Sequence, residues 1–221
     1  MFAGHFAVGF MGKRAAPGMS LGTLFLGAQW ADLLWATLLL AGIEDVRINP
    51  GATASTPLAF VHYPWSHSLA AMLAWSLAAG FAYAALRRDR RGAIVLALVV
   101  ASHWLLDALV HVPDLLLWPG GTTAAGLGLW NHRVAGFALE MLLLASGAML
   151  YLRATRPLDA AGRWGLAGLV AALALLQAGT LSGTPPPGKA AVAWVGEAQW
   201  LFVAWAYWVD RHRATRTALP G

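Results

Sequence analysis

Four histidines and two aspartates stand in or beside stretches otherwise apolar enough to cross a membrane: His5, Asp32, His62, His67, His103 and Asp107. An ionisable side chain at membrane depth costs about 2.5–3.5 kcal/mol on insertion scales, so such groups are paired, hold a metal or face water. The chain has no cysteine, so any metal must be held by imidazole and carboxylate. His103, Asp107 and His111 recur at i, i+4 and i+8, which places them along one helical face. A lone histidine there reads as part of a hydrogen-bonded polar stripe; an aspartate one turn away shifts the expectation to metal ligation. His111, nearer the segment end, is as well explained by solvation as by function.

His62 and His67 are five apart, which on one helix would turn them about 140° from each other. Pro64 between them suits a first helical turn, leaving His62 in the preceding loop and His67 one turn inside, so that the rings can converge. Ser66 and Ser68 flank His67 as groups that could hold its ring or a substrate oxygen, or simply cap the helix. The free N–H groups of that helix start favour an anion such as phosphate. Asp32 lies within Gln29-Trp-Ala-Asp-Leu-Leu-Trp35, where pairing with a histidine is the alternative to ligation. Glu140 and Glu197 read as hydrogen-bonding acids, because no histidine at ligand spacing accompanies either.

The elements that must position these residues follow from composition. Of 221 residues, 59% are hydrophobic and 11% charged, whereas a soluble domain carries about a quarter charged residues. The reading is an all-α, polytopic membrane helical bundle forming a single domain over 1–221. Spanning the hydrocarbon takes about 20 residues, and six stretches qualify, near 20–43, 64–86, 92–112, 133–152, 163–182 and 190–209. Residues 1–12 would reach only about 18 Å as a helix. They read as a short non-spanning helix packed into the bundle, and their lack of a basic leader argues against a cleaved signal peptide. The Pro- and Gly-rich stretches 113–131 and 183–189 read as outer loops.

Basic residues set the orientation. Lys13, Arg14, Arg87, Arg88, Arg90, Arg91, Arg153, Arg156, Arg163, Arg211, Arg213 and Arg216 fall on one side of the expected spans, against Arg47, Arg133 and Lys189 on the other. The positive-inside rule makes the first side cytoplasmic, including the Lys13–Arg14 junction and the C-terminus. The high pI of about 10.2 then reflects orientation, and no nucleic acid partner is expected. At 1.5 Å per residue, Asp107 lies about 8 Å and His103 about 13 Å from the outer end of their span, Asp32 about 16 Å and His67 about 5 Å from theirs, while His5 rises about 12 Å from the cytoplasmic side. These depths predict one site opening outwards.

The order Gly4-His5, Ala31-Asp32, His62 to Ser68, Ser102-His-Trp-Leu-Leu-Asp107 and Leu117-Trp118-Pro119 resembles the YdjM-like, LexA-binding inner-membrane-associated family of membrane-bound metal-dependent hydrolases. The resemblance covers residues 1–120 and extends distantly to zinc-dependent phospholipases C and single-strand nucleases. It implies a bacterial inner-membrane protein with a divalent metal, zinc, held by His5, Asp32, His62, His67, His103 and Asp107. It further implies His62 and Ser66 as candidate catalytic groups and a lipid or lipid-linked phosphoester as substrate. Zinc on such ligands acidifies water and polarises a phosphoryl oxygen; an Asp beside a ligating His can instead orient it. Two positions depart from the family pattern. Leu34 stands where a second aspartate of Pro-Asp-x-Asp is common, and Tyr63 stands where an arginine often follows the first paired histidine. Two other readings stay open from the sequence: a transporter or permease using the cluster for ions or protons, and a non-catalytic membrane partner of the same fold.

Overall fold

Ten α-helices account for most of the described residues, 1–182 and 184–216, in a computed structural model of the chain. They are α1 (Ala3–Ala15), α2 (Leu21–Ala28), α3 (Trp30–Leu40), α4 (Pro64–His67), α5 (Leu69–Arg87), α6 (Arg90–Val110), α7 (Arg133–Ala154), α8 (Ala160–Gly179), α9 (Lys189–Glu197) and α10 (Gln199–Arg211). Three short antiparallel ladders tie the connections: β1 (Asp45–Ile48) with β2 (Leu58–His62), β3 (Leu115–Leu116) with β4 (Ala124–Ala125), and β5 (Thr155–Pro157) with β6 (Arg213–Thr215).

Four helices, α5 to α8, are long and apolar enough to cross a membrane, and α2 with α3 makes a fifth if the bent pair is one span. Six unbroken spans are not what the chain forms. The stretch 20–43 bends by 57° between α2 and α3. The stretch 64–86 is interrupted at Ser68, whose extended backbone (φ −69°, ψ 150°) ends α4 and whose hydroxyl caps α5 by accepting from Ala71 N. The stretch 190–209 divides at Ala198 into α9 and α10, each too short to span alone. On α5 and α6 the outward faces carry Leu73, Leu77, Phe81, Ile94, Leu98 and Leu105, all exposed.

α1 is the innermost element. Its burial runs around the whole helix, including Ala3, Phe6, Ala7, Gly9 and Phe10, as expected of a helix with no polar stripe to turn to water. Phe6 and Phe10 pack edge-on to Phe25 of α2 with ring centroids 4.9 and 4.8 Å apart. Its basic end is anchored rather than solvated: Lys13 Nζ donates to Met19 O and to Asp210 Oδ2, both at 2.8 Å, while Tyr151 OH donates to Asp210 Oδ1 at 2.8 Å. Against α7 the backbones themselves approach. A Cβ at Gly147 would lie 2.5 Å from the Ala7 carbonyl oxygen and 2.9 Å from Ala7 Cα.

That contact is testable. Gly147→Val forces α1 away from α7 and is expected to cost about 1–3 kcal/mol, as overpacking of a close interface does. Ser146→Val, on the exposed side of the same helix, is expected to leave the thermal midpoint of the detergent-purified protein unchanged. Equal midpoints for the two variants would show that α1 is not held by this approach.

Candidate metal centre

The core of the site is one turn of α6. His103 and Asp107, spaced i and i+4, are each 1% exposed, with His103 Nε2 3.2 Å from Asp107 Oδ2. Three other elements converge on this pair. α1 brings His5, whose ring stacks on His103 (centroids 3.6 Å, planes within 6°) and whose Nε2 lies 3.0 Å from Asp107 Oδ1. α3 brings Asp32 in its first turn, with Oδ1 3.7 Å from His103 Nε2. α4 brings His67, whose Nε2 lies 3.5 Å from Asp32 Oδ1 and 3.6 Å from Asp107 Oδ2. The Met1 amine also reaches Asp107 Oδ1, at 2.6 Å.

The helix breaks do the positioning. Because α2 stops at Ala28, that carbonyl lies at the break and accepts from His103 Nδ1 at 2.8 Å. The proton on Nδ1 leaves Nε2 of the neutral ring as a lone pair facing the carboxylates. His67 is oriented the same way through two other groups. Ser66 Oγ donates to Glu44 Oε2 at 2.6 Å and therefore accepts from His67 Nδ1 at 2.7 Å, again leaving Nε2 to point inward. Glu44 Oε1 takes the N–H groups of Trp65 and Ser66 at 2.8 and 3.0 Å. The helix start expected to attract a phosphate is thus occupied by a carboxylate of the protein itself.

Two overlapping triads have the donor set and spacing for a cation: His5, His103 and Asp107, and Asp32, His67 and His103, with ligand atoms of each triad within 4.8 Å of one another. The fit is supported by unsatisfied atoms. His103 Nε2 and His5 Nδ1 are buried without a hydrogen-bond partner among the described residues, a costly state for a polar atom unless something binds there. Of the five residues, Asp32 has the most exposed side chain, at 19%.

Five of the six predicted ligands meet in this way; His62 does not. It ends β2 opposite Asp45 and is exposed, because the hairpin carries the chain out to the surface before Pro64 turns it back. A ligand or catalytic role for His62 is not supported by this placement. Tyr63 takes the inner position, with its ring centroid 5.4 Å from that of His67, and donates from its hydroxyl to Asp114 Oδ1 at 2.8 Å. Burial and the charge of Asp114 push the Tyr63 phenol up, so it stays a donor. Ser66 is fully buried with its hydroxyl committed to Glu44 and His67, which makes it a positioning residue rather than a catalytic one. His111 is buried, with Nε2 4.0 Å from Asp107 Oδ2 and Nδ1 3.0 Å from Asp114 Oδ1. Glu140 accepts from Phe2 N and Gly4 N at 2.8 and 3.3 Å, and Glu197 accepts from Thr37 Oγ1 at 2.7 Å. Beside His111 lies a cavity of about 260 Å³ lined in part by Asn49, Thr53, Phe60, Asp114 and Trp130.

Sequence reasoning missed Glu44 and Asp114. A signal existed for Glu44: a buried helix start that includes Pro64-Trp-Ser-His67 needs an acceptor, and few acids lie in the outer loops.

Removing the Glu44 carboxylate strands two N–H groups and one hydroxyl, each costing about 1–3 kcal/mol when buried unpaired. Glu44→Ala is therefore expected to lower stability by on the order of 3 kcal/mol and to release the fixed tautomer of His67, read by ¹⁵N NMR of the imidazole. Glu44→Gln keeps an acceptor and is expected to lose less. Unchanged stability and tautomer in Glu44→Ala would remove Glu44 from the support of this site. Compared with protein-family models, curated proteins and solved structures, the chain finds no match.

Proposed function

We propose that the chain is a membrane-embedded, metal-dependent hydrolase that holds a divalent cation, zinc, and cleaves a phosphoester of a lipid or lipid-linked substrate. The observation that carries this reading is the convergence of His5, Asp32, His67, His103 and Asp107, in which two imidazoles are locked at Nδ1 and face the carboxylates with Nε2. Nitrogen and oxygen donors without sulfur suit zinc in a hydrolytic setting. A divalent cation bound there supplies Lewis acidity towards water and a phosphoryl oxygen. The chain's own residues do the rest. Glu44 and Ser66 hold His67, the Ala28 carbonyl holds His103, and the enclosed α1 keeps bulk water from the His5 side. The cavity beside His111, with Phe60 and Trp130 in its wall, offers apolar and aromatic surface on the loop side for the organic part of a substrate.

Membrane residence is supported by the four long apolar helices and by the exposed leucines on α5 and α6. With Lys13, Arg14 and the arginines at 87–91 in the cytoplasm, the β1–β2 hairpin and the cluster open to the outer face of a bacterial inner membrane.

One observation favours a second reading, a transporter. α2 packs along α10 and α3 along α9, so the bent α2–α3 pair lies against the α9–α10 stretch, and discontinuous helices are the usual frame of ion sites in secondary transporters. Proteoliposome flux separates the two readings, because hydrolysis needs no gradient and no vectorial uptake.

Elemental analysis of the detergent-purified protein is expected to find stoichiometric zinc in the wild type. His103→Ala and Asp107→Ala are each expected to lose at least about tenfold in metal affinity, since both remove a direct donor rather than an outer partner. His62→Ala is expected to keep the metal. Chelator-sensitive phosphate release from a lipid phosphate should follow the same pattern. Metal-free wild-type protein, or metal retained without His103 and Asp107, would sink the proposal.

A further inference from the structure

At the far end of α1 from His5, a cavity of about 420 Å³ is lined by Arg14, Pro17, Arg153, Ala154 and Arg216. Three separate elements bring the three arginines there, each exposed to solvent. Arg14 is in the last turn of α1 and Arg153 in the last turn of α7. Arg216 follows β6, which the β5–β6 ladder registers with Thr215 opposite Thr155. Its Nε donates to Thr155 O at 3.2 Å, which fixes the side chain while leaving its terminal N–H groups available.

Arginines at helix ends are ordinarily explained by the carbonyl dipole they face. That accounts for Arg14 and Arg153 singly, but not for their sharing one concavity with Arg216. None of the three is paired with a carboxylate among the described residues. Asp210, which joins α1 and α7 through Lys13 and Tyr151, has one oxygen engaged by each of them. Arg213, the first residue of β6 and outside the cavity wall, is a further cation whose Nη2 has no hydrogen-bond partner among the described residues. Three exposed arginines around one concavity, none paired with a carboxylate among the described residues, concentrate positive charge there, and the guanidinium fork matches phosphate.

We propose that this cleft binds the phosphate of an anionic phospholipid headgroup from the cytoplasmic leaflet. Charge complementarity favours the lipid: the cleft lies on the side that carries twelve of the fifteen basic residues, and basic pockets between spanning helices on that side take anionic headgroups. The proposal rests on the membrane reading above and is independent of the metal centre.

Native mass spectrometry of the full chain, exchanged into phosphatidylcholine with added phosphatidylglycerol, tests it. The wild type is expected to retain one phosphatidylglycerol, and the triple variant R14Q/R153Q/R216Q to lower that occupancy at least about tenfold by loss of charge-assisted bonds. R14K/R153K/R216K, which keeps charge but loses the forks, is expected to fall between. R87Q/R88Q/R91Q, on the same side but outside the cleft, is expected to retain the lipid. Equal losses in the two Gln triples would overturn the cleft in favour of diffuse attraction. Displacement of the lipid by millimolar inorganic phosphate would overturn the lipid in favour of a soluble phosphate. A wild type that does not fractionate with membranes would fell the membrane reading and this proposal together, whereas lipid retention unaffected by the cleft variant would fell the cleft alone. Zinc content is expected to be the same in every arginine variant.

Discussion

Asp107 is a carboxylate with 1% exposure in the middle of an apolar bundle, and much of the architecture is arranged around keeping it there. A buried charge is tolerated only when paired and hydrogen-bonded. Asp107 is approached by His5, His67, His103 and His111, from three helices and the end of α6. The groups brought to the cluster from outside α6 come from elements that depart from a regular span. α1 is drawn fully inside, α2 and α3 part at Gln29, and α4 is a single turn set off from α5. A bundle of straight, unbroken spans could not present these side chains to one carboxylate.

The breaks also create the polar groups that orient the ligands. A helix end leaves carbonyls or N–H groups without partners, and in an apolar surrounding irregular backbone persists only where it is enclosed and satisfied. Ala28 offers its carbonyl to His103 because α2 ends there; Trp65 and Ser66 offer N–H groups to Glu44 because α4 begins there. The same discontinuities therefore bring the ligands in and hold their rings in one tautomer, which is the preorganisation a metal site requires.

The long apolar helices α5 to α8 were legible because hydrophobic length is a strong signal. The His103–Asp107 pair was legible because i and i+4 share a face whatever surrounds them. The breaks at Gln29 and Ala198 were not, since neither position carries Pro or Gly and tertiary packing overrides the local preference. His62 was misplaced for a related reason. Pro64 does start a helix, but the residues before it belong to a hairpin, and strand pairing with Asp45 decides where His62 points. For Glu44 the sequence offered only the need of a helix start for an acceptor, because the pairing itself depends on that hairpin returning the chain 22 residues later to the same place.

Leu34 takes on a different meaning once α3 is in view. In the sequence it marks a missing second acid, two residues after Asp32, and so a weaker site. On a helix, however, positions i and i+2 are turned about 200° apart, and α3 already directs Asp32 to His67 and His103 from its first turn. A carboxylate at 34 would point away from those histidines, on the face where Leu34 itself is half-buried. The second carboxylate that faces the histidines is Asp107, supplied by α6. The departure at Leu34 therefore removes no side chain from the cluster, which gathers three imidazoles and two carboxylates without it.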